Sequence, residues 1–247
     1  MFRLTKDLVY ELLETLTPFI QPPRRASALS ITTKVLASGS HQEITGSNHF
    51  VGISQASMSR AIKEVTEALN QPQILATKVS FLRDPEEQDV LRRRFYSIHN
   101  FPGILGIIDC THVAIVSPRN NDPLYPEHVY VNRKNYHSLN VQLICDPDLK
   151  IMNVNSRFSG SAHDSFIWAQ SPIHGANIQK ESSTHFFLLG DSGYSTRPWL
   201  LTPLLNPGNH GEELFNERLS SVRTIIERCN GVLKNRFRCL LRYRTLQ

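Results

Sequence analysis

The seven residues Gly103–Asp109 read GILGIID, an apolar run that ends on a carboxylate. Such a run, opened by glycine and carrying several isoleucines, is typical of a buried strand, and Val113–Val116 extends it. A carboxylate at the end of a buried strand is held on rigid backbone and faces the crevice beyond the sheet edge. The stretch therefore predicts a strand of a sheet, with Asp109 as a candidate functional residue.

Two further strand regions follow along the chain. Leu139–Cys145 and Lys150–Arg157 lie on either side of residues 146–148, the turn tripeptide Asp-Pro-Asp, so they predict a hairpin. Phe186–Leu189 predicts another short buried strand, and Asp191 comes two residues after it. The C-terminal part of the chain is thus expected to contain a sheet with a second acid beside a strand end.

Helices are predicted at about His163–Gln170 and about Glu212–Arg236. The resulting order, three strands, a helix, a strand and a helix, resembles the RNase H-like fold. In that fold, carboxylates lie on the first strand, at the end of the fourth strand and on a late helix. Asp109, Asp191 and Glu227 occupy those three places. The fold class predicted here is α/β (α+β), an RNase H-like mixed sheet flanked by helices. The apolar stripe of the last helix is Leu219, Val222, Ile226, Cys229, Leu233 and Phe237.

The first hundred residues have a different texture. Leu8, Leu12 and Leu16 recur at helical spacing, and this half reads as all-α. Ser54 is a natural N-cap for a helix that resembles the second helix of a helix-turn-helix. The alternative is an ordinary capped surface helix. We expect a helical, helix-turn-helix-like region that could bind DNA over residues 1–100 and a second, RNase H-like domain over 101–247. The side chains that could contact DNA from this helix are Gln55, Ser57, Arg60 and Lys63.

Composition and charge narrow the class of protein. The chain has 247 residues and 40% hydrophobic content, enough to bury a core, and its longest apolar runs are far shorter than the roughly 20 residues of a membrane span. The N-terminus lacks the pattern of a secretory signal, so an intracellular protein without a membrane contact is expected. The four cysteines form no CxxC pair, which argues against a disulfide framework or a zinc ribbon and favours free thiols.

The positive charge is concentrated at one end. The formal net charge is +5, and residues 218–247 alone contain eight Lys or Arg and one acid, Glu227. The rest of the chain is therefore net negative. A basic face of this kind fits a phosphate backbone, and a solvated helix face is the alternative. Candidate phosphate contacts are Lys134, Lys234, Arg236 and Arg238.

The acidic positions suggest metal chemistry. Mg²⁺ and Mn²⁺ prefer oxygen ligands and bind through a few carboxylates plus substrate phosphates. Two such ions can activate a water and stabilise the leaving oxygen at phosphorus. Taken singly, Asp109 and Asp191 could be turn formers at strand ends, and Glu227 could form a helix-surface pair with Arg223. Their joint occurrence at the matching places of one fold favours a site.

Asp164 is a fourth candidate. It lies in the segment Ser159–Ser165 at the expected start of a helix, directly after a predicted strand. One interpretation is a helix cap supported by the helix dipole. The other is a further metal ligand. The neighbouring His163 is interpreted as structural.

Several strings in the chain strongly resemble the Harbinger transposase-derived nucleases of animals. The resemblance covers most of the chain and includes the segment Gly52–Arg60. It implies metal-binding acids at Asp109, Asp164, Asp191 and Glu227, a nuclease domain from about residue 103 onward, a nuclear and cytoplasmic location, and a Myb-like DNA-binding partner. The strings are PGILGIIDCTHVAI at 102–115, YVNRK at 130–134, HSLN at 137–140, LLGDS at 188–192 and RFRCL at 236–240.

Two departures from the family pattern accompany the resemblance. Between Lys34–Ala37 and Ser38–Glu43 the family usually has several more helical residues, so we expect a core helix shorter by about two turns at ~1.5 Å per residue. Relatives also continue with further helical sequence where this chain ends at Gln247. A nuclease domain truncated at its C-terminus is the expectation.

Three functional hypotheses follow. The first is a Mg²⁺- or Mn²⁺-dependent nuclease that hydrolyses DNA phosphodiester bonds, with Asp109, Asp191 and Glu227 as catalytic residues. The second is an inactive domesticated transposase that acts as a DNA-binding or adaptor protein. The third is a transposase with the same site, in which a DNA 3′-hydroxyl replaces water as the nucleophile.

Overall fold

A computed structural model describes residues 5–20, 25–38, 54–81, 84–118, 123–173 and 186–242. The chain divides into two compact units. The first contains residues 1–78, 114–116 and 233–247, and the second contains residues 79–113 and 117–232. The N-terminal helices and the C-terminal end of the chain therefore belong to one unit, and the sheet belongs to the other.

The first unit is built from amphipathic helices. Helix α1 (Lys6–Leu16) is capped by Thr5, whose side chain accepts a hydrogen bond from the Leu8 amide, and it passes into a 3₁₀ turn at Thr17–Phe19. Helix α2 (Arg25–Ser38) packs against α1 and against the 3₁₀ turn Arg238–Leu240. The predicted helical texture of this region is confirmed. Its buried core consists of Leu16, Ile20, Ala28, Leu29, Ala61, Val65, Ala68 and Ile74.

Helix α3 (Gln55–Leu69) follows in the same unit and packs against α2. Its cap is the predicted one, because Ser54 Oγ accepts a hydrogen bond from the Ser57 amide at 3.2 Å. Residues 39–53, where the preceding turn and the expected shortening of a core helix fall, lie outside the described residues. A capped helix is thus present, and the helix-turn-helix stays a prediction. Helix α4 (Pro72–Lys78) completes the helices described in this unit.

The second unit contains a five-stranded mixed sheet in the order β3-β2-β1-β4-β5. Strands β1, β4 and β5 run parallel to one another, whereas β2 and β3 form the predicted antiparallel hairpin. The short strand β5 was not predicted, because two leucines give no periodic signal. The strands are β1 (Ile104–Ala114), β2 (Ser138–Cys145), β3 (Ile151–Ser159), β4 (Phe187–Leu189) and β5 (Leu200–Leu201).

Helices flank this sheet, as predicted. Helix α5 (Pro85–His99) begins at the Asp84 cap and ends at Asn100, whose φ of 51° stops the helix just before β1. Helix α6 (Asp164–Ala169) follows β3 and helix α7 (His210–Arg236) follows β5, with a 3₁₀ turn at Glu127–Tyr130 between β1 and β2. No helix among the described residues is long and apolar enough to cross a membrane. The buried stripe of α7 is Leu219, Val222, Ile225, Ile226 and Cys229.

Gly160 joins β3 to the loop that leads to α6, and its lack of a side chain is a packing requirement. A Cβ at this position would lie 2.6 Å from the Tyr130 carbonyl oxygen and 2.7 Å from the Ser138 carbonyl oxygen. Both are backbone atoms that cannot rotate away. We expect Gly160→Ala to lower the free energy of unfolding by about 2 kcal/mol or more, the scale of an overpacked core.

Urea denaturation of the wild type and the Gly160→Ala variant measures this loss. Gly231→Ala is the matched control, because a Cβ on Gly231 of α7 meets no atom within 4 Å. There we expect a gain of about 0.5–1 kcal/mol, since alanine is the better helix former. Equal stability of the Gly160→Ala protein and the wild type would contradict the packing argument.

Candidate functional site: an acidic cluster at the sheet

Asp109 lies in the middle of β1 rather than at its end, where the sequence predicted it, because the strand continues to Ala114. Asp191 follows the end of the neighbouring parallel strand β4. Ile107 of β1 is the register partner of Leu189 of β4, and each aspartate comes two residues later. The register of β1 and β4 thus sets the two carboxylates near each other, and the interaction between them raises the pKa of Asp109.

The backbone after β4 turns tightly around Asp191. Its Oδ1 accepts a hydrogen bond from the Gly193 amide at 2.9 Å, the pattern of an Asx turn. A Cβ on Gly193 would lie 3.0 Å from Asp191 Oδ1 and 3.6 Å from Asp164 Oδ2. The two carboxylates therefore approach each other at a position where any side chain would crowd them.

Asp164 is the first residue of α6, one position after its N-cap. The N-cap of α6 is His163, which has no side-chain capping hydrogen bond. The carboxylate of Asp164 instead accepts a hydrogen bond from Asn140 Nδ2 of β2, at 2.9 Å from Oδ1. Asp164 is thus held against the sheet, near Asp109 and Asp191. It lies in the first turn of α6 but is not the N-cap, and its role as a metal ligand stays a prediction.

Asp109 is largely buried, with 18% of its side chain exposed. Burial is the main cause that raises its pKa from 3.8 to about 6, and the neighbouring carboxylates of Asp191 and Asp164 raise it further. The guanidinium of Arg223 opposes this shift from 3.9 Å. Asn230 donates to Asp109 Oδ2 at 3.0 Å. The cluster therefore carries excess negative charge at neutral pH.

Helix α7 contributes one face to this cluster. Arg223, Glu227 and Asn230 follow one another at intervals of four and three residues, so they share a face of the helix. The first and last of them contact Asp109. Glu227 is exposed between them. The structure places Glu227 on the face that meets Asp109 and brings together Asp109, Asp164 and Asp191.

A complete metal-binding cluster requires more than a group of neighbouring carboxylates. Within the ranges that the structure describes, no group of three or more His, Cys, Asp and Glu side chains has the geometry to hold a metal ion. Mg²⁺ sites commonly use one or two carboxylates together with waters and substrate phosphates. The arrangement observed here is a set of interacting carboxylates rather than a closed cage.

Cys110 and Tyr194 lie beside the acids. The Cys110 thiol and the Tyr194 hydroxyl form a hydrogen bond at 3.2 Å. Burial raises the pKa of both groups, and Asp164 raises the pKa of Cys110 further. A thiol with a raised pKa is a poor nucleophile, so Cys110 has a packing and hydrogen-bonding role. All four cysteines are free thiols, as predicted.

The predicted nucleic-acid contacts have different environments. On α3, Gln55, Arg60 and Lys63 are exposed, and Lys63 pairs with Glu67 at 3.8 Å. Ser57 is half-buried, and its hydroxyl contacts Ser54 and accepts from Arg60. In the other predicted set, Lys134 and Arg236 are exposed, whereas Lys234 and Arg238 are half-buried.

Three residues around the acids were not found from the sequence as part of the site: Asn140, Arg223 and Asn230. Their signals are weak in a single sequence. Asn140 is one of several buried polar residues in β2, and a polar residue buried in a strand is an informative exception. Arg223 and Asn230 are ordinary polar residues of a long helix until the fold sets them against Asp109.

Comparison with known proteins gives consistent matches. Residues 108–247, which include all four predicted acids, match the DDE superfamily endonuclease family. The cattle (Bos taurus) protein named "Putative nuclease HARBI1" is 37% identical over 250 residues, which cover 97% of this chain and 68% of that protein. The human (Homo sapiens) protein of the same name is 37% identical over 253 residues, with the same coverage. "Protein ALP1-like" of Arabidopsis thaliana is 24% identical over 229 residues, 86% of this chain and 53% of that protein. No solved structure matches the chain.

Proposed function

The chain belongs to the DDE superfamily endonucleases, among the Harbinger transposase-derived nucleases, and from that membership we propose that it is a divalent-metal-dependent nuclease that hydrolyses DNA phosphodiester bonds. The observation that carries the proposal is the juxtaposition of Asp109, Asp164 and Asp191 at one place on the sheet. The match over residues 108–247 and the word "nuclease" in the names of the mammalian relatives support it.

The strand order supports an RNase H-like fold for the catalytic domain. In the order β3-β2-β1-β4-β5, the central β1 carries Asp109, and Asp191 follows its neighbour β4. Glu227 lies on the late helix α7. These are the three places at which the sequence pattern predicts carboxylates in such a fold.

The donor set fits a hard divalent cation. Asp109 is buried among two further carboxylates, and one arginine offsets only part of their charge. Oxygen ligands and uncompensated negative charge are what Mg²⁺ and Mn²⁺ bind. The residues that would hold the metal are Asp109, Asp164, Asp191 and Glu227. When bound, a divalent ion at such a site lowers the pKa of an attacking water and neutralises charge that develops on the phosphate.

The chain's own residues hold the acidic side chains in position. The sheet register fixes the spacing of Asp109 and Asp191, and the Gly193 amide holds the Asp191 carboxylate in place. Arg223 neutralises part of the acidic charge next to Asp109. These contacts preorganise the site before DNA arrives, which is how a catalytic constellation keeps its geometry.

DNA contacts are proposed on two sets of polar and basic side chains. One set is on α3, where polar and basic groups follow the Ser54 cap, and the other contains Lys134 and the basic C-terminal segment. Cationic side chains neutralise phosphates and release counterions, so binding should weaken steeply with salt. The α3 set is Gln55, Ser57, Arg60 and Lys63, and the second set is Lys134, Lys234, Arg236 and Arg238.

A protein partner and a location complete the proposal. We propose a Myb-like DNA-binding protein as a partner and a nuclear and cytoplasmic distribution, as the resemblance to the Harbinger nucleases implies. Co-precipitation and imaging of the tagged full chain test both points directly.

The nuclease proposal predicts metal-dependent nicking of plasmid DNA. With Mg²⁺ or Mn²⁺ the purified protein should convert supercoiled plasmid to nicked circles, and EDTA should abolish the conversion, because the carboxylates then repel the phosphate with no cation between them. Binding of DNA without cleavage under every divalent metal would contradict the proposal and favour a DNA-binding adaptor. Joined products that carry a DNA 3′ end would instead indicate strand transfer.

A further inference from the structure

Asn140 is a buried polar residue in the middle of the sheet. It lies on β2 with 2% of its surface exposed. Its side-chain NH₂ group donates two hydrogen bonds, to Asp164 Oδ1 and to the Ala162 carbonyl, both at 2.9 Å. A single amide thus ties one carboxylate of the acidic cluster, and the loop that leads to it, to the rigid sheet.

The orientation of the Asn140 amide follows from its partners. Both partners are oxygen atoms that can only accept from it, so the NH₂ group must face them, and a flipped amide would set oxygen against oxygen. The amide oxygen, Oδ1, is left buried without a hydrogen-bond partner among the described residues. The two donated hydrogen bonds must therefore offset the cost of one unsatisfied buried oxygen.

Other restraints on Asp164 are few. It begins a six-residue helix whose cap residue, His163, makes no side-chain capping bond. The thiol of Cys110, which the Tyr194 hydroxyl holds, contacts the Asp164 carboxylate from β1. An ionised carboxylate can only accept hydrogen bonds, and Asn140 is a neutral donor that cannot compete as a ligand through its NH₂ group.

We propose that Asn140 is a positioning residue that orients the Asp164 carboxylate for a divalent cation, through the paired hydrogen bonds to Asp164 and Ala162. The inference rests on the proposed function. Removal of a residue that orients a metal ligand typically lowers the metal affinity roughly 10- to 100-fold. Asn140 is buried, so its effect should appear in metal binding before it appears in catalysis.

The test measures the affinity of the full chain for Mn²⁺ without DNA. Electron paramagnetic resonance of the free ion reports how much Mn²⁺ is bound. We expect Asn140→Ala and Asn140→Leu to bind Mn²⁺ at least about tenfold more weakly than the wild type. Leucine is close to asparagine in size, so it preserves packing if alanine leaves the protein unfolded. In a plasmid assay, cleavage by the variants should recover to near the wild-type kcat when Mn²⁺ is raised to saturation.

Asn132→Ala is the matched control. Asn132 is equally buried at 2% exposure and donates to Ser138 Oγ at 2.8 Å, rather than to a carboxylate. Its Mn²⁺ affinity should match that of the wild type even if the protein loses stability. Unchanged affinity in both Asn140 variants, or cleavage that stays low at saturating Mn²⁺, overturns the inference and leaves the nuclease proposal intact. Failure of the wild type to bind Mn²⁺ overturns both.

Discussion

The Asp191→Asn protein should cleave DNA at least about a thousandfold more slowly than the wild type while it keeps its fold. A catalytic metal supplies several kcal/mol of transition-state stabilisation, which corresponds to about that factor in rate. Asparagine retains an oxygen in place of Asp191 Oδ1, so the hydrogen bond from the Gly193 amide can persist. What the substitution removes is the negative charge beside Asp109 and Asp164.

Asp148→Asn is the matched control for this experiment. Asp148 is an exposed acid of the same unit, in the turn between β2 and β3, and it pairs with Arg94 at 2.6 Å. Its neutralisation removes a charge of equal size away from the acidic cluster, and plasmid cleavage should be unchanged. Equal nicking rates for the wild type and Asp191→Asn, under the same metal and salt, would show that the acidic cluster takes no part in the reaction.

The Asp109→Asn protein should be more stable than the wild type at neutral pH. Burial and two like charges raise the pKa of Asp109 from 3.8 to about 6, so the folded protein holds an ionised carboxylate at a disadvantage. At 1.36 kcal/mol per pKa unit, replacement by the neutral amide should raise the free energy of unfolding by about 3 kcal/mol at pH 7.5. Removing a carboxylate from the site thus strengthens the fold.

The pH dependence of this gain has a definite sign. Below about pH 3.8 the carboxyl group is protonated in both folded and unfolded chains, so the aspartate carries no penalty there. The penalty grows as pH rises through the interval up to about 6 and is complete above it. The advantage of Asp109→Asn over the wild type should therefore shrink by about half when the pH falls from 7.5 to 5.

Urea unfolding at pH 7.5 and pH 5 with EDTA measures both values. The control is Asp148→Asn, an exposed substitution that should change the free energy of unfolding by less than about 0.5 kcal/mol at either pH. Adding Mn²⁺ should stabilise the wild type and leave Asp109→Asn little changed, because the metal favours the ionised carboxylate. An Asp109→Asn protein that is less stable than the wild type at pH 7.5 would contradict the electrostatic account.

Local sequence signals were sufficient to predict most strands of the sheet. The apolar run before Asp109, the turn at residues 146–148 and the short run before Asp191 each predicted a strand that the structure contains. The Ser54 cap predicted the start of α3 in the same way. These features depend on neighbouring residues, which is why a single sequence reveals them.

What the sequence could not supply was the set of contacts between distant residues. Asn140 and Asp164 are 24 positions apart, and Asn230 and Asp109 are 121 apart. No periodicity or cap signal links such pairs, since folding alone brings them together. Asp164 shows the result: its position at a helix start suggested a cap, and only the amide on β2 reveals its orientation.

The shared register of β1 and β4 also has an evolutionary consequence. Ile107 pairs with Leu189, and each aspartate follows its residue of this pair by two positions. These two equal intervals set the alignment of the two carboxylates. A single inserted or deleted residue within either interval would turn one carboxylate to the opposite face. Changes in loop length elsewhere leave these two intervals unchanged. Descendants of this chain can therefore lengthen or shorten their loops and still align the two acids, provided that the two intervals keep their length.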